Sequence, residues 1–226
     1  MKYIKPEWPA PSHIKAFTTV RDGWISREKG TSLKDTLELP DEPVWLNQKH
    51  GTNVVEAKLE NTDQIADASF STIPDHVCVT LTADCLPVLI TNRKGSHVAA
   101  IHAGWRGLAA GVIEETLKTF QLNDELLVWL GPAIGPEKFE VGEDVYQAFT
   151  ADSPQSKSAF VDYKPGKWLA NLYELAKIRL RAQGVNHIYG GDYCTYTQED
   201  LFFSWRRDQD KTGRMASVIW IENMES

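Results

Sequence analysis

The chain has 226 residues, with 24 Lys and Arg against 31 Asp and Glu and a net charge of -7, so nucleic acid and anionic membranes are disfavoured as partners and an anionic ligand needs a local basic pocket. Its 42% apolar and 10% aromatic content can fill a substantial core, and with no repeat, linker or low-complexity tract the expectation is one domain over residues 1–226. No stretch approaches the roughly 20 apolar residues of a membrane span, no leader-like segment opens the chain and the three cysteines include no CxxC pair, so a cytoplasmic protein without a disulfide framework or zinc knuckle is expected.

In chain order, residues 15–20 and 43–46 read as short β pieces around a polar, turn-rich stretch, Arg21 to Glu42, that fits no regular pattern. Val54 to Ala57 and His76 to Thr82 are expected strands. Pro87 to Thr91 and His97 to Ile101 continue the pattern, and the Asn92-Arg93-Lys94-Gly95 turn predicts that they form a hairpin. From Gly107 to Phe120 the period changes, and Leu108, Val112, Glu115, Thr116 and Thr119, with Ile113, Leu117 and Phe120 beside them, make a stripe at helical spacing. Leu126 to Leu130 reads as a strand running into the stiff loop Gly131-Pro132-Ala133-Ile134-Gly135-Pro136. Phe139 to Val141 and a short helix from Glu143 to Phe149 follow. Trp168 to Gln183 is an expected amphipathic helix, stopped by Gly184. Strands at Ile188-Tyr189, Leu201 to Trp205 and Met215 to Ile221 complete a mixed α/β (α+β) protein, with β-sheets and flanking helices in layers.

Three residues stand where apolar runs give way to polar or Gly-bearing turns: His50, Cys85 and His102. Two imidazoles and a thiolate suit a borderline metal such as zinc, and three protein ligands leave a position for water or substrate. Taken singly, His50 before Gly51 also fits a plain turn, and Cys85 in apolar company also fits a small buried hydrophobe. Asp84 is placed to orient a histidine or water beside a metal-bound thiolate. His102 heads His102-Ala103-Gly104-Trp105-Arg106-Gly107, between an expected strand and helix. Free N–H groups at such a helix start favour an anion. Gly104 and Gly107 permit close backbone approach, and Arg106 offers a fork for phosphate or carboxylate. Trp105 is placed either to stack on a base or to pack into the core. Cys194 and the pair Arg206-Arg207 are secondary candidates, at most one of the two arginines facing a shared cleft. His13, His76, His97 and His187 have no supporting constellation.

Together these stretches resemble the YfiH family, also called the laccase-domain or multicopper polyphenol oxidase-like family. The resemblance runs through Val44-Trp45-Leu46, Gln48, His50-Gly51, Ala66-Asp67-Ala68, Thr82-Ala83-Asp84-Cys85-Leu86-Pro87-Val88, Ala100 to Gly107 and Leu130 to Pro136. It continues through Phe139 to Gly142, Gly191-Asp192, Cys194-Thr195-Tyr196, Phe202-Phe203-Ser204 and Arg206-Arg207-Asp208. It implies one zinc, or copper in its place, on His50, Cys85 and His102, whose spacings of 35 and 17 residues agree with the family pattern. It also implies a layered fold like that of toxin deamidases and YfiH-type cysteine hydrolases, with Gln48, Trp105, Arg106 and Gly107 at the substrate and a homodimer left open. The pattern departs near the N-terminus, where Val20-Arg21-Asp22-Gly23-Trp24-Ile25-Ser26 replaces the family's Arg-x-Gly-Gly-Val-Ser, Lys34 follows Ser32-Leu33, and the connection to Val44 is short.

The activity this resemblance implies is phosphorolysis of adenosine, guanosine, inosine or methylthioadenosine to free base and ribose 1-phosphate, with adenosine deamination to inosine as a second outcome. Partners are then a purine nucleoside and phosphate. Deamination lacks one local element, because Ala103 and Gly104 stand where zinc nucleobase deaminases carry His-x-Glu. Asp84 is the nearest proton carrier in sequence, with Glu140 and Glu143 as the others considered. A rival class makes Cys85 a nucleophile, with His102 or His50 as base, in an amidase editing peptidoglycan precursors. Copper-dependent phenol oxidation is a further alternative, set against a chain with only six histidines. A metal-stabilised binding protein without turnover is the non-enzymatic one.

Overall fold

The computed structural model describes residues 2–23, 32–151 and 153–223. Among them the chain forms β1 (Tyr3–Ile4), β2 (Ile14–Thr19), α1 (Leu33–Leu37), β3 (Val54–Glu56), β4 (Ala68–Ser71), β5 (Cys78–Thr82), β6 (Leu86–Asn92) and β7 (Val98–Ala103). Then come α2 (Trp105–Ala110), α3 (Val112–Leu117), β8 (Leu126–Leu130), β9 (Glu140–Gly142), α4 (Glu143–Thr150), β10 (Phe160–Lys164) and β11 (Lys167–Ala170). The last elements are α5 (Leu172–Ala182), β12 (His187–Gly190), α6 (Trp205–Asp208) and β13 (Met215–Ile221).

The largely apolar runs of β6 and β7 are buried at every position, as central strands covered on both faces must be. They form the expected antiparallel hairpin, at the middle of a six-stranded mixed sheet ordered β12-β8-β6-β7-β4-β3. Alternation along the hairpin divides the core. Val88, Ile90, Ala99 and Ile101 pack with Leu108, Ile113, Leu172 and Leu180 of the helical layer, while Leu89, Val98 and Ala100 pack with Ile14, Cys78 and Ile219 of a second sheet. That second sheet has the order β1-β2-β13-β5, and a small third sheet has the order β10-β11-β9. Helices, a mixed sheet and an antiparallel sheet therefore stack as layers of an α+β fold.

Several local expectations are corrected. The helix expected from Gly107 to Phe120 is two helices, α2 and α3, broken where Gly111 takes φ 102°. A left-handed residue cannot carry the helical ladder onward, and glycine adopts it without a Cβ clash. The helix expected from Trp168 begins only at Leu172, where the Asn171 side chain accepts from the Glu174 N–H as its N-cap. Lys167–Ala170 instead pairs with β9 and β10, and Trp168 stacks on Tyr146 with ring centroids 4.5 Å apart. Leu201 to Trp205 forms no ladder. Ser204 caps the short helix α6, which carries Arg206 and Arg207 on a helical turn rather than on alternate faces of a strand. At 43–46 there is a single bridge, Val44 to Cys78. In the unplaced stretch Arg21 to Glu42, α1 is capped by Ser32, and residues 24–31 lie outside the described residues.

Candidate metal centre and its cleft

The site sits where three chain segments meet at one end of the central hairpin. Cys85 immediately precedes β6, His102 is the penultimate residue of β7, and His50 lies in the loop before β3. Pro87 pairs with His102 and Leu86 with Ala103, so the hairpin register sets Cys85 beside His102. His50 arrives on a turn in which it takes φ 60°, a left-handed conformation uncommon for a residue with a Cβ.

One donor atom from each of His50, Cys85 and His102 lies within 4.8 Å of the others. Cys85 Sγ is 3.7 Å from His50 Nε2, and the two imidazole rings stand edge-to-face with centroids 4.7 Å apart. His102 Nδ1 is 2.7 Å from Asp67 Oδ1, which leaves Nε2 as its free donor. This is a borderline-soft set of three, suited to a tetrahedral ion with one position open. His13, His76, His97 and His187 are engaged elsewhere, with the Gly95 carbonyl, the Ala57 carbonyl, the Phe120 ring and Glu125 respectively.

The charge state of the set is perturbed as a unit. Burial alone disfavours the Cys85 thiolate, but the His102 and His50 side chains outweigh it and bring the thiol down to about 6. Burial likewise disfavours the His102 imidazolium, yet Asp67 and Cys85 outweigh it and raise the ring to about 9. The Asp67 carboxyl stays low against its own burial, because His102 and the Gly51 and Lys49 N–H groups favour the anion. Both shifts favour the thiolate–imidazolium pair over the neutral pair in metal-free protein.

Because the Cys85 pKa is depressed, thiolate is present above it and is lost as pH falls through about 6. Iodoacetamide alkylation of Cys85 in metal-free protein, followed by peptide mass mapping, is expected to rise with a midpoint near 6 rather than near 9. Buried Cys78, pushed up to about 12, remains unlabelled. A Cys85 midpoint at the ordinary thiol value would show that the imidazoles do not act on the sulfur.

The donors open onto a cleft of about 650 Å³ that His50, Cys85 and His102 help to line, a size that holds a small-molecule ligand. Leu46, Leu81, Ile134, Phe139 and Leu172 make its apolar wall, and Trp105, Arg106, Trp205, Arg206 and Arg214 its rim. Arg106 lies over Trp105, 4.3 Å from the ring centroid, and Arg214 lies 5.6 Å from the Trp205 ring. Arg206 spends its guanidinium on the Lys138 and Glu140 carbonyls, and Arg207 on those of Thr195, Tyr196 and Phe202. Of this neighbouring pair only Arg206 reaches the cleft.

Other expected site residues take different places. Gln48 lines the cleft, but its carboxamide accepts from the Leu81 N–H and donates to the Leu81 carbonyl, splinting the His50 loop to β5. Gly107 is not among the residues that line the cleft. A Cβ there would meet the Gly51 carbonyl oxygen at 2.8 Å, so its bare Cα lets α2 abut the His50 turn. Asp84, expected to orient a metal ligand, points elsewhere, accepting from Thr195 Oγ1, Ser204 Oγ and the Arg206 N–H. Those bonds hold its left-handed backbone, φ 84°. Glu140 pairs with Lys164 and Glu143 with Gln147. Cys194 accepts from the Gly135 N–H outside the donor set.

Sequence reasoning missed Asp67, Trp205 and Arg214. The signal for Asp67 was only a charged residue between two alanines, since β4, whose entry it occupies, is not among the strands expected from the sequence. Trp205 was hidden because Leu201 to Trp205 reads as a strand whereas it opens α6, and Arg214 sits in the turn before β13 with no pattern to mark it.

An α+β scaffold gathers two histidines and a cysteine, donors that could hold one metal ion, at a cleft of small-molecule size. Comparison with known proteins agrees. Residues 26–222 match the family model described as multi-copper polyphenol oxidoreductase laccase. Purine nucleoside phosphorylase YfiH of Escherichia coli is 47% identical over 242 residues, covering 97% of this chain and 99% of that one. Purine nucleoside phosphorylase of Haemophilus influenzae is 44% identical over 245 residues, covering 98% and 100%. The crystal structure of the Neisseria meningitidis protein NMB0706 superposes with a TM-score of 0.91 at 39% identity, covering 99% and 100%. The chain belongs to the YfiH, or laccase-domain, family.

Proposed function

We propose that this protein is a cytoplasmic, zinc-dependent purine nucleoside phosphorylase acting on adenosine, guanosine, inosine or methylthioadenosine. One observation carries the reading: three convergent donors at the floor of a cleft whose rim bears Trp105, Trp205, Arg106 and Arg214. The names of the relatives supply the substrate class. A bound zinc would supply Lewis acidity to an oxygen at the open position. The chain's own groups do the rest. The Trp faces and the apolar wall take the purine, and the guanidiniums of Arg106 and Arg214 attract the phosphate dianion and hold it against the ribose. An oxygen of hydrogenphosphate then bonds to C1′ as the C1′–N9 bond breaks, the electron pair leaves with the purine, the phosphate's proton ends on the purine nitrogen, and ribose 1-phosphate remains. The apolar cleft strengthens these contacts by excluding water.

Incubated with adenosine, the purified zinc-loaded protein is expected to give adenine and ribose 1-phosphate by mass spectrometry only when phosphate is present. Inosine formed without phosphate would mean deamination, and neither product at full zinc content would overturn the nucleoside reading. Arg106 is exposed and bonds no carbonyl, so Arg106→Ala is expected to leave the fold intact. A hydrogen bond to a charged group contributes about 1.5–3 kcal/mol, which puts the KM for phosphate up roughly tenfold or more.

A second reading has its own observation. Cys85, His102 and Asp67 stand in the order nucleophile, base and orienting carboxylate, the arrangement of a cysteine amidase such as one editing peptidoglycan precursors. The second imidazole, His50, favours the metal, since a triad needs only one. An amidase activity that survives chelator but not a thiol reagent would reverse that preference. Copper can occupy the same donors, but multicopper oxidation needs more histidines than converge here.

A further inference from the structure

We propose that Asp67 is the positioning residue of this centre: one buried carboxylate that locks both imidazoles of the donor set into their ligating geometry before metal arrives. The proposal rests on the reading of His50, Cys85 and His102 as metal ligands and not on the nucleoside substrate.

Asp67 has 1% exposure and stands at the entry to β4. Oδ1 is 2.7 Å from His102 Nδ1 and accepts from the His50 N–H at 2.9 Å. Oδ2 accepts from the Gly51 N–H at 2.7 Å and the Lys49 N–H at 3.2 Å. The Asp67 backbone carbonyl accepts from the His102 N–H at 2.7 Å as well. Two ligands separated by 52 residues are thus fastened to one side chain, His102 through its ring and His50 through its turn.

Each fastening has a consequence for metal binding. A carboxylate on Nδ1 keeps the proton there, so Nε2 is the nitrogen turned toward the ion, which takes the place of any proton on it, and ring rotation is stopped. Three successive N–H groups converging on a carboxylate form an anion nest, which steadies the left-handed His50 turn. Without it the turn has no reason to keep φ 60°, and the exposed His50 ring leaves the cluster. Asp84, which the sequence put forward for this task, contacts neither histidine.

Asp67→Asn is the near-isosteric test. An amide has one acceptor oxygen and turns two N–H donors toward the groups that Asp67 accepts from, so it cannot satisfy His102 and the turn together. The full-length metal-free protein is titrated with zinc against a competing chelator, and with cobalt(II), whose d–d and thiolate charge-transfer bands report ligand number and symmetry. The variant is expected to keep its circular dichroism spectrum, bind zinc roughly 10–100-fold more weakly, and show altered cobalt bands. Zinc affinity within threefold of the unsubstituted protein, in a folded variant, would overturn the proposal.

Should the variant fail to fold, ¹⁵N NMR of histidine-labelled, zinc-loaded unsubstituted protein decides. A slowly exchanging proton on His102 Nδ1 with zinc on Nε2 supports the proposal, and zinc on Nδ1 refutes it. If the unsubstituted protein takes up no zinc or cobalt, the metal reading itself falls and the proposal with it, an outcome distinct from equal binding by both proteins.

Discussion

Replacing Cys85 with Ala is expected to strip the protein of stoichiometric zinc and to abolish phosphorolysis while leaving the fold in place. Cys85 is the sole sulfur in the donor set, and it is the donor whose anionic form offsets part of the ion's charge. The two remaining imidazoles are neutral ligands at best, and one of them, His102, is driven toward its imidazolium form by Asp67. Loss of an outer-shell partner costs about 10–100-fold in metal affinity, so loss of a ligand is expected to exceed 100-fold. The side chain stands on a turn facing the cleft, so its truncation leaves no sealed cavity, and folding stability is expected to change by less than about 1 kcal/mol. Metal content by mass spectrometry, turnover with adenosine and phosphate, and a thermal melt check the three parts. The same substitution separates the two enzymatic readings. A cysteine amidase would lose its turnover, but nothing in that account ties metal content to Cys85. A variant that keeps one zinc per chain and its phosphorolysis would remove Cys85 from the centre altogether.

The contrast between what the chain's pattern discloses and what it conceals has physical causes. The β6–β7 hairpin was legible because a strand buried on both faces must be mostly apolar, and 86–90 and 98–101 are apolar without a break. His50, Cys85 and His102 were legible because each interrupts or ends such a run, and hairpin register then sets two of them side by side. Lys167–Ala170 was not, since its apolar residues continue the helical period of α5 and only the Asn171 cap marks the change. The break at Gly111 was hidden similarly, the stripe of α2 and α3 passing through it without a shift. Asp84 and Asp67 illustrate the harder limit. Both are acidic residues at the mouth of a strand, and which one touches a histidine depends on pairings between segments far apart in the chain, β4 with β7 in one case and the β5–β6 turn with Thr195 and Ser204 in the other. Local pattern does not encode that choice.

Gly104→Ala tests whether the centre depends on space as well as on donors. The backbone at Gly104 has φ -63° and ψ 153°, which alanine adopts without strain. Alanine is a poorer N-cap than glycine by up to about 1 kcal/mol, offset by the roughly 0.4–1 kcal/mol that a Gly-to-Ala change contributes through the unfolded chain. Folding stability is therefore expected to move little. The added Cβ, however, falls 2.5 Å from His50 Cδ2, closer than two carbons can approach, and a tight 3.2 Å from both His50 Nε2 and Cys85 Sγ. His50 is exposed and hinged on a turn, so the ring swings outward and takes its nitrogen from the cluster. Zinc affinity is expected to drop by more than about 100-fold, beyond the loss of an outer-shell partner, with phosphorolysis lost alongside it and the melting temperature of the metal-free protein almost unmoved. Gly107→Ala gives the opposite pattern and serves as the control. Its Cβ would meet the Gly51 carbonyl oxygen at 2.8 Å, a backbone atom with no rotamer to escape into, so about 1–3 kcal/mol of stability is expected to go before metal binding does. Parent-like zinc binding in Gly104→Ala would mean that His50 ligates from another position, or not at all.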